Sequence, residues 1–597
     1  MREPPLEGDR ARLVCGGALR PRQAPGPGAP PPRQERPGGG SSHGERRLPV
    51  RGPEPPRAPS RRRRPSPPRG SPARGPRVAP SATPPRPRAR SASPAPEFLA
   101  TESWASLGVS PRVTAALERA GFPAPARLQA KALPAALSGE TTVIAAETGS
   151  GKTLAYGIPV VEAALRLRAE AEAADGDAGA DPAERRYRLG PKALVLLPTG
   201  VLCDQVVGVL HSLLGDNGAP LVEATRLSTS HIPSYVPDVL VTTPAALEAF
   251  WNEVSPGYPQ GWMSRDALLS AARTVVLDEA DLVLTASARA TERVLEILRL
   301  DDRERTARTC MAHLGLGQEE WHRMSSRKKQ VAHRQGVGAF LEAEGAAPRA
   351  GVAGRGFAWA RQYVFVGATI PDTGERGVAS SIVARVPGAR WVEGDELHRS
   401  KAAVSHEWVR VDDFSWAEAL VSAVGRGGGE GGEGGEGGRT MVFAAGKGYA
   451  DEAAETLARG TGRAILLYHN GVPAAERERA LSAFRETPGA VLVCTDSASR
   501  GLDIPEVTHV VQADFASTAV DFLHRSGRTA RAGATGRVTS LYTEGDERLA
   551  GAIQLAIARG RPVEACFSRN RSFRKKVKRK GQEFVEGQIE AGPQRSA

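Results

Sequence analysis

What most limits the fold of this chain is a series of short, unbroken apolar runs that occurs twice. The first series is TTVIAA (141–146), KALVLLP (192–198), DVLVTT (238–243), TVVLD (274–278) and QYVFVGA (362–368); the second, between Glu407 and Ala513, is EWVRV, TMVFAA, AILLYH, AVLVCT and HVVQA. A strand with one wet face alternates apolar and polar residues, and these runs do not alternate. Runs of this kind indicate strands covered on both faces, the hallmark of parallel sheets whose crossover helices lie on either side. Helical stretches separate them. The expectation is an α/β chain with two doubly wound parallel-sheet domains in tandem.

A length of 597 residues with 40% hydrophobic content is enough to core both domains. Residues 1–98 contain 21 arginines against seven acidic residues, so this stretch accounts for the whole formal net charge of +13. Segments such as GAPPPRQERPGGG and SRRRRPSPPRGSPARGPRVAP are too poor in aliphatics to bury a core, and a disordered basic tail is expected. Its Arg, Ser and Ala content suits an organelle transit peptide, for a chloroplast or a mitochondrion. Glu3, Glu7, Asp9 and the Arg-Ser-Pro stretch suit a nuclear RNA-associated tail instead. No run reaches the ~18 apolar residues of a membrane span, so no membrane contact is expected. The five cysteines lie far apart, which argues against a zinc site or a disulfide framework and for a reducing compartment.

Two motifs carry chemistry. AETGSGKT (146–153) follows the first apolar run. Thr148, Gly149, Ser150 and Gly151 can wrap backbone N–H groups around a phosphate, Lys152 can reach the β and γ phosphates, and Thr153 can set its hydroxyl on Mg²⁺. The other reading is a chance Gly-rich turn, since Ala146 stands where the generic pattern has Gly. TVVLDEADLVL (274–284) sets Asp278, Glu279 and Asp281 close together, and such carboxylates repel unless a cation sits among them. At the carboxyl end of a parallel strand, where ligands gather, Asp278 can hold the water shell of the same Mg²⁺. Glu279 is then left to orient and deprotonate a water for attack on the γ phosphate.

With GFPAPARLQ (121–129), TDSASRGLD (495–503) and HRSGRTAR (524–531) added, the chain from about Trp104 to Gly533 resembles the DEAD-box ATP-dependent RNA helicases; its departures from their pattern, with a long insert and a basic C-terminal tail, resemble a plant plastid-type subgroup. The resemblance implies two RecA-like domains, ATP and Mg²⁺ as cofactors, and RNA gripped through sugar and phosphate, independent of sequence. It implies that Gln129 reads adenine, with Trp104 upstream where the family has an aromatic, and that Asp503 binds the ribose. Arg528 and Arg531 are implied to be fingers on the γ phosphate, making hydrolysis depend on domain closure. Asp281, Thr369 and His524 are implied to couple the domains. Pro198, Thr199, Thr243, Thr495 and Arg500 are implied to lie along the RNA. A monomer with ribosomal assembly partners in an organelle is the matching biological expectation.

The departures from the family pattern are specific. PTGVLCDQ (198–205) has Gly200 and Val201 where the family has Arg-Glu, and TPAAL has Ala245 and Ala246 where it has Gly-Arg, so two RNA-side arginines are missing. Gly367, Ala368 and Thr369 replace Ser-Ala-Thr, removing a hydroxyl that could tie this strand to Asp281, a difference of ~0.5–1.5 kcal/mol. Ala474 replaces a Gln, with Arg477 retained.

The expected layout is a first domain over 99–394, with an insert at about 300–360, and a second over 395–558. The insert carries the basic run RMSSRKKQVAHRQ (323–335), read either as an RNA contact or as a solvated helical face. GRGGGEGGEGGEGGR (425–439) reads as a loop inside the second domain, with the interdomain linker near 394–403. A basic tail over 559–597 contains SRNRSFRKKVKRKG, where cations could meet phosphates and Phe573 could stack on a base, with a nuclear-import signal as the rival reading. The expected function is ATP-dependent RNA unwinding or remodelling; the alternative is a non-unwinding, ATP-gated RNA clamp.

Overall fold

The computed structural model describes residues 98–174, 190–254, 257, 264–347, 360–370, 377–425, 438–499, 504, 507–531, 534–567, 570–581, 583, 586, 587 and 589. Among these, thirteen strands form two sheets. The first contains β1 (Thr142–Ala145), β2 (Ala193–Leu196), β3 (Ala224–Leu227), β4 (Val239–Thr242), β5 (Thr274–Leu277), β6 (Gln362–Gly367) and β7 (Arg390–Glu393), in the order β3-β4-β2-β5-β6-β1-β7. The second contains β8 (Val404–Arg410), β9 (Arg439–Ala444), β10 (Ile465–Tyr468), β11 (Val491–Thr495), β12 (Val507–Gln512) and β13 (Gly536–Tyr542), in the order β10-β11-β9-β12-β13-β8. Every pairing between these strands is parallel, as the unbroken apolar runs require.

Alternate residues of each strand feed opposite faces of the sheet. In the first sheet, Ile144, Val195, Val241, Val276 and Val364 pack with Tyr156, Ile158, Val206 and Leu210, which lie on the helices Lys152–Ala174 and Gly200–His211. Val143, Leu194, Leu240, Val275 and Phe365 pack on the other side with Trp251, Val283, Leu295 and Ile382.

Three strands, β3, β7 and β13, lie outside the runs read from the sequence. β3 and β7 are edges, with Arg226 in one and Arg390 and Glu393 in the other. β13 is internal yet polar, because Thr539 and Ser540 are buried with partners: Thr539 Oγ1 donates to Glu407 Oε2 at 3.0 Å and bonds His509 Nε2 at 2.9 Å, while Gln512 Nε2 donates to Ser540 Oγ at 3.0 Å.

The segment before β6 builds its own small core. Helices Ala288–Leu314, Gln318–Arg323 and Ser326–Ala343 enclose Cys310, Trp321, Ala332, Phe340 and Leu341. Its basic run is a largely exposed helical face with ion pairs, Lys328 to Glu344 at 2.8 Å and Arg323 to Glu319 at 2.9 Å. Fully buried Arg361 ties this layer to the foot of β6, donating to the carbonyls of Leu269, Ala272 and Leu298 and pairing with Asp301 at 2.7 Å and Asp302 at 2.5 Å.

The C-terminal segment departs from expectation. Residues Asn570–Lys580 form a helix docked on the second domain, with Phe573 and Val577 in a core shared by Phe515, Phe522 and Ile553. Phe573 is 0% exposed, which corrects its expected role as a stacking platform for RNA bases. The physical reason is the i, i+4 spacing of Phe573 and Val577, a narrow apolar stripe inside a charged run. Lys575, Lys578, Arg579 and Lys580 remain exposed. Just upstream, Val563 N–H donates to the carbonyl of His398 at 2.9 Å and Glu564 bonds the His398 ring, so this segment also grips the chain between β7 and β8. The Gly-rich loop falls mainly on 426–437, outside the described residues, as do residues 1–97. Among the described residues no helix is long and apolar enough to cross a membrane.

Phe573→Ala is expected to destabilise the second domain by ~3–5 kcal/mol, as for other buried phenylalanines, while Lys578→Ala should stay within ~0.5 kcal/mol. Denaturant unfolding followed by hydrogen exchange on β12 and β13 measures both.

Candidate nucleotide site and RNA face

The loop between β1 and the helix Lys152–Ala174 is shaped as a phosphate cradle. Gly149 and Gly151 have φ of 81° and 89°, a conformation that other residues adopt only at a cost. A Cβ at Gly151 would lie 2.6 Å from Nε2 of Gln129, and one at Gly149 would lie 3.2 Å from Nζ of Lys401 and 3.5 Å from Cγ of Arg531. Ser150 Oγ closes the loop onto the Glu147 carbonyl at 2.7 Å, and Lys152 Nζ donates to the carbonyls of Ala146 and Glu147, both at 2.9 Å. Gln129 is fixed beside this loop, accepting from Ala126 N–H at 2.7 Å and donating to the Gly151 carbonyl at 3.1 Å. The cradle therefore fits a nucleotide phosphate chain.

Trp104 requires a correction. Its ring is 2% exposed and belongs to the first domain's core, with the indole N–H donated to the Phe122 carbonyl at 2.9 Å. It offers no open face to a base, and supports the 121–129 segment from below.

Asp278 follows β5. Its Oδ2 accepts from the Tyr156 hydroxyl at 2.8 Å and its Oδ1 from Glu279 N–H at 2.8 Å. Tyr156 stands three residues after Thr153 on one helix face, so its bond docks the Thr153 turn against Asp278, an arrangement that fits a shared Mg²⁺. Burial, then the Glu279 charge, pushes the Asp278 carboxyl up to about 6, with the Tyr156 hydroxyl acting against them. Glu279 is a non-glycine residue at φ 49°, strain of ~1–3 kcal/mol that sets the start of the helix Ala280–Thr285.

Here the two domains meet. Thr369 Oγ1 donates to Asp281 Oδ2, and since the hydroxyl has one proton, His524 Nε2 donates to the Thr369 oxygen at 3.2 Å. Glu279, Asp281 and His524 present ligand atoms within 4.8 Å of one another. Burial raises the Asp281 pKa, opposed by His524. Among the described residues its Oδ1 is buried without a partner, and a Cβ at Gly367 would lie 3.5 Å away, the place a serine there would begin. On the other side, Thr148 Oγ1 donates to the Gly527 carbonyl at 3.3 Å, an approach that leaves no room for a side chain at 527. Arg528 is buried nearby, and Arg531 Nε donates to the Gly527 carbonyl at 3.3 Å.

Three residues here escape a reading of the sequence. Tyr156 looks like any core aromatic. Arg525 is hidden among the charges of HRSGRTAR, yet it is buried and bonds both oxygens of Asp496 at 2.7 Å and the Asp514 carbonyl at 2.6 Å. Lys401, in the interdomain linker, donates to the Ala530 carbonyl at 2.7 Å. Burial, with repulsion from Arg531, lowers its pKa to about 8.

Of the residues expected along RNA, Thr199 and Thr243 follow the adjacent strands β2 and β4 and cap helices: Thr199 Oγ1 accepts from Leu202 N–H at 3.4 Å and Thr243 Oγ1 from Ala246 N–H at 3.2 Å. Pro198 precedes the first cap, and Thr495, almost fully buried, ends β11. Arg500 and Asp503 lie outside the described residues.

Gly367→Ser is expected to give Asp281 Oδ1 its partner once Ile370 Cγ1, 2.9 Å from the new Cβ, moves aside. RNA-stimulated ATP turnover should rise ~2- to 10-fold, the kinetic equivalent of one hydrogen bond, with nucleotide affinity unchanged. Steady-state ATPase assays with and without RNA, and nucleotide titration, check this.

Comparison with known proteins agrees with the geometry. Residues 126–312 match the DEAD/DEAH box helicase model and 418–533 the helicase conserved C-terminal domain. DEAD-box ATP-dependent RNA helicase 22 of Arabidopsis thaliana is 35% identical over 522 residues, covering 83% of this chain and 86% of that one. Its namesake in Oryza sativa subsp. japonica is 36% identical over 496 residues, covering 80% and 84%. In fold, the chain is similar to S. cerevisiae Dbp5 bound to RNA and ADP BeF3, with a TM-score of 0.53 at 18% identity, covering 82% of this chain and 99% of that one. Two matched helicase domains and a relative 35% identical over most of both chains establish that this chain belongs to the DEAD-box ATP-dependent RNA helicases and is an RNA-dependent ATPase.

Proposed function

We propose that the chain closes its two domains on single-stranded or locally melted RNA when Mg²⁺-ATP is bound, remodels that RNA, and releases it after hydrolysis. The observation that carries this reading is the shared hydroxyl of Thr369, which joins Asp281 of the first domain to His524 of the second. Gln129 reads the base, and the 148–152 backbone with Lys152 binds the phosphates. Thr153 and Asp278 hold Mg²⁺, which supplies charge neutralisation of the phosphates. Glu279 orients the attacking water and takes its proton, and Arg528 and Arg531 steady the γ phosphate. Asp503 binds the ribose, while Pro198, Thr199, Thr243, Thr495 and Arg500 line the RNA.

The RNA we propose is ribosomal RNA under assembly in an organelle, the chloroplast first, with the mitochondrion or nucleus as alternatives. The arginine-rich composition of residues 1–98 supports import, and the exposed cations of the helix Asn570–Lys580 support sequence-tolerant phosphate contact by a monomer. Crosslinking the tagged protein in its own cells and sequencing the attached RNA tests target and compartment together; recovery of messenger RNA alone would remove the ribosomal part. A clamp that does not unwind is the second reading, favoured by the unpartnered Asp281 Oδ1 beside Gly367. Displacement of a short duplex separates the two.

Glu279→Gln should bind ATP normally but hydrolyse it at least ~100-fold more slowly, because an amide can hold the water without accepting its proton. Nucleotide titration and single-turnover hydrolysis are the measurements, and near-normal turnover would remove Glu279 from the mechanism. Replacing Lys575, Lys578, Arg579 and Lys580 with Gln keeps Phe573 and Val577 in place. It should lower the log–log salt slope of RNA affinity by ~0.7 for each phosphate that these cations neutralise.

A further inference from the structure

Gly200 stands at the start of the helix Gly200–His211, directly after Thr199. The space a side chain would need there is already taken. A Cβ at Gly200 would lie 2.1 Å from Nη2, 2.7 Å from Cζ and 3.3 Å from Nη1 of Arg226. That guanidinium arrives from β3, an edge strand two places from β2 in the sheet. Its Nη1 donates to Asp204 Oδ2 at 2.6 Å, so the group is steered by an acid one turn along the very helix that begins at Gly200.

Stability alone does not account for this placement. The two side chains are 37% and 58% exposed, and an exposed pair of this kind contributes ~0–1 kcal/mol. The cation also lies beside the positive end of a helix, where the macrodipole opposes rather than favours it. A guanidinium has five donors in a planar fork, so engagement with Asp204 through Nη1 leaves donors able to serve a second oxyanion. Gly200 leaves room for the group to rest against the helix start.

We infer that Arg226 is a phosphate ligand for the RNA backbone on the first domain, supplying from β3 the guanidinium that position 200 lacks, with Asp204 as its positioning residue. This rests on the RNA path proposed above along Thr199 and Thr243. In linear sequence the arginine looks absent; in space it has moved from a helix start to the neighbouring sheet edge.

The test is binding of a fluorescent single-stranded RNA to the full chain, across a salt series, with a non-hydrolysable ATP analogue present. Arg226→Gln should weaken binding ~10-fold and lower the log–log salt slope by ~0.7, with nucleotide affinity in the absence of RNA unchanged. Arg226→Lys should keep the slope, because it keeps the charge, and it serves as the reference should the Gln variant fold poorly. The exchange Gly200→Arg with Arg226→Ala should regain the slope, since a guanidinium returns to the same space from the other side. An unchanged slope in Arg226→Gln, or an exchange variant that folds without regaining it, overturns the assignment. Photocrosslinking of RNA to the unmodified protein distinguishes the two levels of failure. Crosslinks to 198–204 or 239–247 alongside a silent Arg226→Gln sink only the role of Arg226; crosslinks to neither segment sink the proposed path, and Arg226 with it.

Discussion

The hydroxyl of Thr369 joins the two domains at their cluster of buried carboxylates and histidine. It gives its proton to Asp281 and accepts one from His524, so a residue after β6, a residue after β5 and a residue of the second domain share one oxygen. All three are buried, and a buried carboxylate is tolerable only when hydrogen-bonded or paired. The interdomain contact is therefore directional. It depends on geometry at a few atoms, which suits the opening and closing proposed above. The Thr148–Gly527 contact has the same character, linking the phosphate cradle to the segment that carries Arg528 and Arg531 through one hydrogen bond.

The layers above this joint are equally specific. Arg361 is wholly buried, yet it meets three carbonyls and two aspartates, and Tyr363 adds its hydroxyl to Asp302 at 2.6 Å. Removing one member of such a cluster leaves an uncompensated buried charge, at a cost of ~3–5 kcal/mol. The helical insert is thereby fastened to the strand that ends in Gly367, two residues from the shared hydroxyl. The insert is part of the first domain's frame.

The sequence exposes whatever follows from periodicity. Strands such as β2 and β5 are buried throughout because both faces are covered, and the phosphate loop is legible because its glycines are needed in a fixed order. β13 is not legible, since its buried Thr539 and Ser540 look like surface residues until Glu407, His509 and Gln512 are seen to satisfy them. Phe573 misleads because eight basic neighbours outweigh one apolar pair in composition, whereas burial depends on which face the pair occupies. Arg226 is invisible for a different reason: a motif compares positions along the chain, and the guanidinium that matters is close to Gly200 only in space. Trp104 has the right residue type at the right distance, but its indole belongs to the core.

The edge position of β8 has a consequence for how the molecule assembles. Among the described residues, the strand that leaves the linker bonds only to β13 in the sheet, and its contacts span pairs such as Ser405 and Gly536, 131 positions apart. Contacts of such long separation form late, because the loop must close before they are rewarded. Within the second sheet β9 to β12 pair over shorter separations than β8 with β13, and the linker also meets Val563 and Glu564 beyond that strand. The linker is thus seated by residues far along the chain, and a fragment ending with the matched region at residue 533 would lack β13, the strand that pairs with β8.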